Sequence, residues 1–589
     1  MAEPEPAGLA DAVLLAPLTE DSFLHNLHVR YKRDIIYTYV GNALVSVNPC
    51  RPLPLYSAEL VRAYLARPPY LLPPHLYAIT ATAYRWVRDR NESQCIVITG
   101  ESGAGKTEAA RVCLQCAVVA GGAGGAAGGA GGAGGGAAGG ALTAAGTLLE
   151  AFGNAATARN HNASRFGKLL DMEFDFKGEP VGGHITHYLL EKERVCGVLE
   201  GERNFHVLYQ LLAGADAHLL KRLKLQRSWE QYRVLRGQAA APLSPRRAPP
   251  PAAPPGPRAP HADRDHFAFT KAAMNALGFP AGQCGAVLRL LAFILKLGNV
   301  QFEPQHNIDG SIGTRLHHEY ELREACALVG VDADALVLAL GAAPPDDDPD
   351  LELDGSVEEE SVAEGAAGGE GDGGAEWAGA LRDRLLCALY GRLFTWLVTA
   401  VNDAIKPGVA GLRSSLGILD VYGLESLAHN GLERLLINYA AERVQAAVTA
   451  ATLRREREEY AREGLPVPAL QLPHAEQELH ADLLDAGPES VLGALRECSA
   501  RGAGDAAFLQ RLQRRRHPRL TVLPPDRFQI VHFGGPVVYS ARGIVSKNRD
   551  ALCRRCCGVL AAAREPLLAA LFAAGAAGAG GAGGAAGAG

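Results

Sequence analysis

The stretch Gln94–Thr107, QCIVITGESGAGKT, decides the fold of this chain. Its first part, Gln94 to Thr99, is a short apolar run rich in β-branched residues, the pattern of a buried strand. Its second part, Gly100 to Thr107, fits G-x-x-x-x-G-K-[ST]. Thr107 to Ala120 then reads as a helix. Strand, glycine-rich turn and helix together make a phosphate cradle. Gly100, Glu101, Ser102, Gly103, Ala104 and Gly105 form the turn, and its glycines let the backbone aim N–H groups inward at phosphate oxygens. Amides at the helix start add partial positive charge. Lys106 supplies a point charge for the terminal phosphates, and Thr107 a hydroxyl for Mg2+. The bare pattern arises by chance in a glycine-rich chain; the flanking strand and helix make it specific.

Two more segments join it. Gly417 to Tyr422 (GILDVY) is a second buried strand ending in an acid, and Asp420 to Glu425 reads DVYGLE. An acid there can hold a Mg2+-bound water, and Gly423 can offer a bare N–H to a γ-phosphate. Asn160 to Lys168 reads NHNASRFGK, and its Arg165 is the natural opposite charge to Glu425. Singly, each has an ordinary alternative: an acid after a strand is often a turn residue, and such an arginine is usually on the surface. Their order and combination carry the reading. Phe174, Phe176, Ile185, Tyr188 and Leu189 suggest a hairpin around Lys177 to Gly183. The mixture predicts an α/β domain with a central, mostly parallel sheet flanked by helices. Its ligand would bind beyond the carboxyl ends of the strands.

The rest of the composition sets limits. The 589 residues are 48% hydrophobic, enough for a large core, and a net charge of −6 does not point to nucleic acid. Four segments are too Gly-, Ala-, Pro- or acid-rich to bury a core: 121–140, 239–260, 344–374 and 573–589. They are expected to be three flexible insertions and a tail. No apolar run is expected to span a bilayer; the best, Ala286 to Leu297, holds Arg289 and Lys296 and reads as a buried helix. The N-terminus lacks the pattern of a signal peptide. Twelve scattered cysteines and no export signal suggest a reducing cytosol. Cys113 with Cys116, and Cys553 with Cys556 and Cys557, form tight groups that read as helix-packing residues rather than zinc ligands.

In this order the segments resemble the myosin motor family. Gly100 to Thr107 matches the family's P-loop letter for letter. Asn160 to Lys168 looks like its switch I and Asp420 to Glu425 like its switch II. Asn48 to Tyr56 (NPCRPLPLY) looks like its adenine-side motif. Leu148 to Thr157, Gly182 to Val195, Gly201 to Gly214 and Ile437 to Tyr460 agree as longer blocks. Tyr31 to Pro49 resembles class I, the short-tailed membrane-linking myosins. The resemblance implies a P-loop NTPase-type fold with inserted helical upper and lower actin-binding subdomains over residues 15–572, preceded by an extension over 1–14. It implies ATP and Mg2+ as ligands and actin filaments as partner. Calmodulin-type light chains and membrane lipids follow only for a fuller chain. The expected setting is the cytoplasmic actin cytoskeleton, at the cell cortex or on plasma-membrane-associated actin.

Carried over by resemblance, Asn48, Pro49 and Tyr56 flank the adenine, and Lys106 binds the β- and γ-phosphates. Thr107 and Ser164 give hydroxyls to Mg2+. Asn160 and Gly423 contact phosphates, and Asp420 reaches the metal through a water. Arg165 and Glu425 close as a salt bridge that positions the attacking water. Asn430 to Gly464 resembles the relay helix, with an apolar stripe at Leu436, Ala440, Val444 and Val448.

The chain also departs from the family. Ala163 replaces the first switch I serine, which implies slower hydrolysis. Leu424 replaces a switch II phenylalanine, which implies a looser switch, and Ala156 stands where the family has lysine. Pro473 to Cys498 matches the actin-side helix-loop-helix poorly, with Leu495, Arg496 and Glu497 before the cysteine. Glu364 to Gly374 covers the region of the regulatory surface loop. Arg514 to Arg516 reads as a solvated helix end, with a basic actin contact as the alternative. The likeness ends at Phe572, so the converter and lever are expected to lie outside this chain. Three function classes remain open: an actin-activated Mg-ATPase, a nucleotide-gated actin tether with little turnover, and a fragment without activity of its own.

Overall fold

The computed structural model describes residues 8–68, 71–122, 137–158, 160–199, 201–238, 260–306, 312–317, 319–341, 373–407, 414–427, 429–465, 483–550 and 552–573. Most of the segments predicted to be flexible (123–136, 239–259, 344–372 and 574–589) lie outside these residues. So do 473–482 of the actin-side segment and 364–372 of the regulatory loop.

Four strands form the central sheet: β1 (Gln94–Ile98), β2 (Gly167–Phe174), β3 (Pro180–Tyr188) and β4 (Ser414–Asp420), in the order β1-β4-β2-β3. β4 runs parallel to β1, with Asp420 opposite Ile98. It runs antiparallel to β2, with Asp420 opposite Lys168. β2 and β3 are the predicted hairpin. The expectation of a mostly parallel sheet is therefore corrected: among its described strands, only the β1–β4 pair is parallel. The connections explain this. The turn from Asp175 to Glu179 is too short for anything but a reversal, since parallel neighbours need a crossover of about a dozen residues or more.

Helices cover the sheet: α1 (Leu76–Arg90), α2 (Lys106–Gly122), α3 (Ala137–Gly153) and the long α4 (Gly373–Ile405). α2 and α3 extend into the glycine-rich segment predicted to be flexible. A Cβ on Gly139 would lie 2.6 Å from Val118, so glycine there lets the two helices approach closely. α4 buries Leu385, Leu386, Leu389, Leu393, Leu397 and Val401 in the main core. Its Tyr390 ring stacks on Phe205 at 4.6 Å, and its hydroxyl donates to the Phe152 carbonyl at 2.6 Å. By length and composition the segment Gly374–Ile405 could cross a membrane, which corrects the expectation that no run is long enough. Scattered charges such as Arg382, Asp383 and Arg392 hid it from a search for unbroken apolar runs. Half of its most apolar window is buried inside the protein, as in a core helix. Residues 9–14, read as an extension, pack on the body: the Leu9 N–H donates to Asn26 Oδ1 at 2.7 Å and the Tyr39 N–H to the Ala10 carbonyl at 2.9 Å.

A second, smaller core follows β4. It joins α5 (Leu432–Thr449), α6 (Val491–Ala500), α7 (Asp505–Arg514), an antiparallel sheet of β5 (Leu520–Leu523), β6 (Arg527–His532) and β7 (Gly535–Ser540), and α8 (Ile544–Arg549). Leu435, Leu495, Phe508, Phe528, Ile530 and Tyr539 fill it. Two last helices, α9 (Arg554–Ala561) and α10 (Pro566–Phe572), return to the main core. The predicted α5 stripe is displaced. Leu435, Asn438, Ala441 and Glu442 are buried, whereas Leu436, Ala440, Val444 and Val448 are only partly covered. Two of the buried residues are polar, so a pattern built on apolar residues missed that face. The predicted relay-like helix is also interrupted by a π turn at Ala450–Arg454 before it resumes at Arg455–Arg462.

Candidate nucleotide site

The P-loop joins β1 to α2. Gly103 and Gly105 take φ of 89° and 91°, the left-handed region that side chains disfavour. Lys106 Nζ donates to the carbonyls of Gly100 and Glu101, each at 2.9 Å. Burial lowers its pKa below the ordinary lysine value, while the carboxylates of Asp420, Glu425 and Glu101 oppose the shift. Asn48 Nδ2 donates to the Gly103 carbonyl at 2.7 Å, which ties the adenine-side segment to the loop. Pro49 follows in a tight turn, where the Cys50 N–H returns to Asn48 Oδ1 at 2.9 Å. Tyr56 joins an aromatic cluster: its hydroxyl meets that of Tyr37 at 2.6 Å and its ring packs edge-on against His75 and Tyr77.

Both switch segments meet this loop. Ser164 Oγ lies 2.9 Å from Thr107 Oγ1, so the two predicted metal hydroxyls are neighbours. Gly423 is pressed against the P-loop. A Cβ there would fall 2.6 Å from the carbonyl carbon of Gly100, closer still to its oxygen, and 3.2 Å from the Glu101 Cα. Asp420 ends β4, 3% exposed, and its Oδ2 has no hydrogen-bond partner among the described residues. Asn160 turns inward on its own loop, with its Oδ1 accepting the Asn162 N–H at 3.0 Å. Ala163 is buried opposite Ala155 in the short β-pairing of residues 154–155 with 163–164. Ala156 is buried too, and its carbonyl accepts the Arg203 N–H at 2.8 Å. Leu424 packs against the second core. A separate cavity of about 650 Å3 touches switch I at Asn162 but contains no P-loop residue.

The predicted Arg165–Glu425 pair is present only at 3.9 Å, with both residues buried. Each has a nearer partner that the sequence reading missed. Arg165 Nε donates to Glu191 Oε2 at 2.7 Å. Arg434, from α5, stands 3.2 Å from Glu425 and 3.0 Å from Glu191. Arg194 completes the cluster, 2.8 Å from Glu191. Burial alone would raise the Glu191 carboxyl, but Arg194, Arg165 and Arg434 outweigh it and hold it far below the ordinary range. Burial would likewise lower the Arg165 guanidinium; Glu191, Tyr422 and Glu425 raise it.

A buried chain of hydrogen bonds, also missed, joins switch II to the second core. Asn438 on α5 accepts the Glu425 N–H at 2.8 Å and donates to the Glu425 carbonyl at 2.9 Å and to the Tyr539 hydroxyl at 2.7 Å. His532 lies 2.7 Å from that hydroxyl and 3.0 Å from Glu442. A polar side chain inside an otherwise periodic helix was the one signal available for Asn438.

Two segments from separate parts of the chain thus meet the P-loop, one at the Thr107–Ser164 hydroxyl pair and one at Gly100, and residues 9–582 match the model of the myosin head (motor domain). The chain belongs to the myosin head family. It is 36% identical over 585 residues to unconventional myosin-Ib of Homo sapiens, covering 96% of this chain and 48% of that protein. It is 38% identical over 586 residues to unconventional myosin-Ia of Bos taurus, covering 96% and 52%. This myosin head therefore spans about half the length of the curated relatives it matches. The extended match agrees with the reading of class I from Tyr31 to Pro49.

Proposed function

We propose that this myosin head binds MgATP, hydrolyses it and couples hydrolysis to actin filaments, as part of a class I-like actin-based motor. The observation that carries the reading is the meeting of P-loop, switch I and switch II: Thr107 and Ser164 hydroxyls 2.9 Å apart, beside a switch II glycine packed on Gly100. The donor set suits Mg2+, which takes oxygen ligands: two hydroxyls, and a buried carboxylate oxygen of Asp420 without a partner among the described residues. Thr107 and Ser164 would hold the ion, with Asp420 behind a bound water. Bound there, the ion would neutralise charge on the phosphates.

The chain's own residues do the rest. Lys106 and the P-loop amides bind the β- and γ-phosphates, with Gly423 and Asn160 as further contacts. Asn48, Pro49 and Tyr56 take the adenine side. Arg165 and Glu425 orient the attacking water, and the work is positioning and electrostatics without a covalent intermediate. The setting is the actin cytoskeleton of the cytoplasm, at the cell cortex or plasma membrane. Calmodulin-type light chains and membrane lipids would engage further segments of a longer protein of this kind.

Phosphate release measured with and without actin filaments tests the reading. Turnover that actin stimulates and that Lys106→Ala abolishes supports it; a folded chain that neither binds nor hydrolyses ATP overturns it. A second reading, a nucleotide-gated tether with slow turnover, would follow only if two departures in the switches slow hydrolysis. Ala163 offers no hydroxyl, and Arg434 stands closer to Glu425 than Arg165 does. Actin affinity that changes with ATP in the absence of measurable phosphate release would select it.

A further inference from the structure

Spacing along the chain singles out Cys113 with Cys116 and Cys553 with Cys556, yet the fold brings two other sulfurs together from far apart. Cys196 closes the short 3-10 helix Lys192–Cys196, and Cys387 lies within α4, 191 positions later. Their Sγ atoms are 3.3 Å apart. Cys196 Sγ also donates to the Asp383 carbonyl at 3.1 Å, one helical turn before Cys387. The single thiol proton of Cys196 therefore goes to the helix, and the hydrogen between the two sulfurs is that of Cys387. Two contacts thus fix Cys196 over one turn of α4.

The nucleotide site uses neither cysteine. Free cysteine commonly packs as a small hydrophobe, as Cys113 and Cys116 do at 0% exposed. Cys196 and Cys387 differ in that their sulfurs touch and both residues are partly exposed, so a reagent can reach them. Neither belongs to a group of three or more potential metal ligands among the described residues. A disulfide bond is about 2.05 Å long, so the sulfurs need approach by only about 1.3 Å more, a movement within the reach of side-chain rotation. The bond from Cys387 to Cys196, with burial and the charge on Cys196, holds the Cys387 thiol well above its ordinary value. Cys387 accordingly keeps its proton, and Cys196 is the sulfur that attacks.

We propose that Cys196 and Cys387 form a reversible thiol–disulfide site on this head, with Cys196 the nucleophile, Cys387 the resolving thiol and a small-molecule disulfide such as glutathione disulfide the oxidant. The Cys196 thiolate attacks one sulfur of glutathione disulfide. A bond from Cys196 to that sulfur forms, the reagent's S–S bond breaks, and one glutathione leaves as thiolate and takes up the proton that Cys196 released. The Cys387 sulfur then attacks the Cys196 sulfur. An S–S bond forms between them, the bond to glutathione breaks, and the second glutathione leaves with the Cys387 proton. Two protein thiols are oxidised and one glutathione disulfide is reduced to two thiols. The new bond ties together two supports of switch I. Arg194, in the same turn as Cys196, lies 2.8 Å from Glu191, which holds Arg165. Tyr390, in the turn of α4 after Cys387, donates to the Phe152 carbonyl.

Equilibration of the folded full chain in glutathione buffers of increasing disulfide content tests this. Samples are quenched with acid, remaining thiols are blocked with N-ethylmaleimide, and peptides are mapped by mass spectrometry. Cys50 and Cys95, both exposed, serve as the comparison. The expected result is a Cys196–Cys387 disulfide in most chains under a buffer that leaves mixed disulfides at Cys50 and Cys95 below about one tenth, with full reversal by dithiothreitol. In Cys387→Ser, shown folded by its circular dichroism melt, glutathione should remain attached at Cys196. The proposal fails if Cys196 and Cys387 stay as thiols when Cys50 and Cys95 already carry glutathione, or if each takes up glutathione without bonding to the other. It fails equally if the folded Cys387→Ser variant holds no glutathione at Cys196. Should that variant not fold, mapping of the native chain decides alone.

Discussion

Replacing Gly423 by alanine asks whether the contact between switch II and the P-loop sets the catalytic geometry. The added methyl would stand 2.6 Å from the Gly100 carbonyl carbon and 3.2 Å from the Glu101 Cα. Both are backbone atoms, so no side chain can rotate away. The Gly100 carbonyl oxygen stands closer still, and ordinary van der Waals contact begins near 3.4 Å, so one loop must withdraw from the other by more than about 1 Å. That withdrawal carries Glu425, two residues on, away from Arg165, and moves the Gly423 N–H from the phosphate position. A misplacement of about 1 Å at a reacting centre costs about 100-fold in rate, or about 2.7 kcal/mol of barrier. Nucleotide affinity should change far less, because Lys106 and the P-loop amides stay in place. The assay is a single-turnover phosphate burst beside fluorescent-nucleotide binding. An alanine variant that hydrolyses within about threefold of the parent would show that this contact is not what aligns the site.

Other outcomes follow from the same structure. Arg434→Met removes the nearer cation from buried Glu425 and one of three from Glu191, and should lower unfolding free energy by about 3–5 kcal/mol in a urea titration; a change below about 1 kcal/mol would mean that Arg165 and Arg194 suffice. Asn438→Ala leaves the Glu425 backbone groups and the Tyr539 hydroxyl without this partner in the core, so the melting temperature should fall while Asn438→Ser recovers part of the loss. His75 caps α1 by accepting the Tyr77 N–H on Nδ1, which places the ring proton on Nε2, facing the Leu55 carbonyl. Burial lowers its pKa from 6.5 to about 4, so between those values the unfolded chain binds more protons. The stability it contributes is therefore full above about pH 6.5 and lost as pH falls toward 4. His75→Asn keeps a cap acceptor without titrating; its melting temperature should drop less than the parent's between pH 7 and pH 5, and equal drops would refute the assignment.

The nucleotide loops were legible because their chemistry is local. A strand that delivers glycines, Lys106 and Thr107 to one turn needs only consecutive residues, and so does an acid at the end of β4. The hairpin of β2 and β3 was legible for the same reason, since a short turn between alternating runs permits one pairing. Strand direction elsewhere was not. β4 meets β1 and β2 from far along the chain, and its sense against each depends on how the intervening helices pack. The membrane-length helix escaped notice because its charges break the apolar run, although they lie at points where the fold gives them partners, as with Arg382 and Asp383.

Sequence alone determined that this head carries a glycine-rich turn with Lys106 and Thr107 between β1 and α2 and an acid at the end of β4, because spacing along a few residues sets which backbone amides and side chains share a turn. Only the tertiary structure decided how the charges pair. Glu191 and Arg434 are 243 positions apart, yet burial together makes each the other's partner and leaves Arg165 and Glu425 at 3.9 Å. In a buried, low-dielectric cluster every charge must find its opposite, and which opposite it finds is set by packing, not by order along the chain.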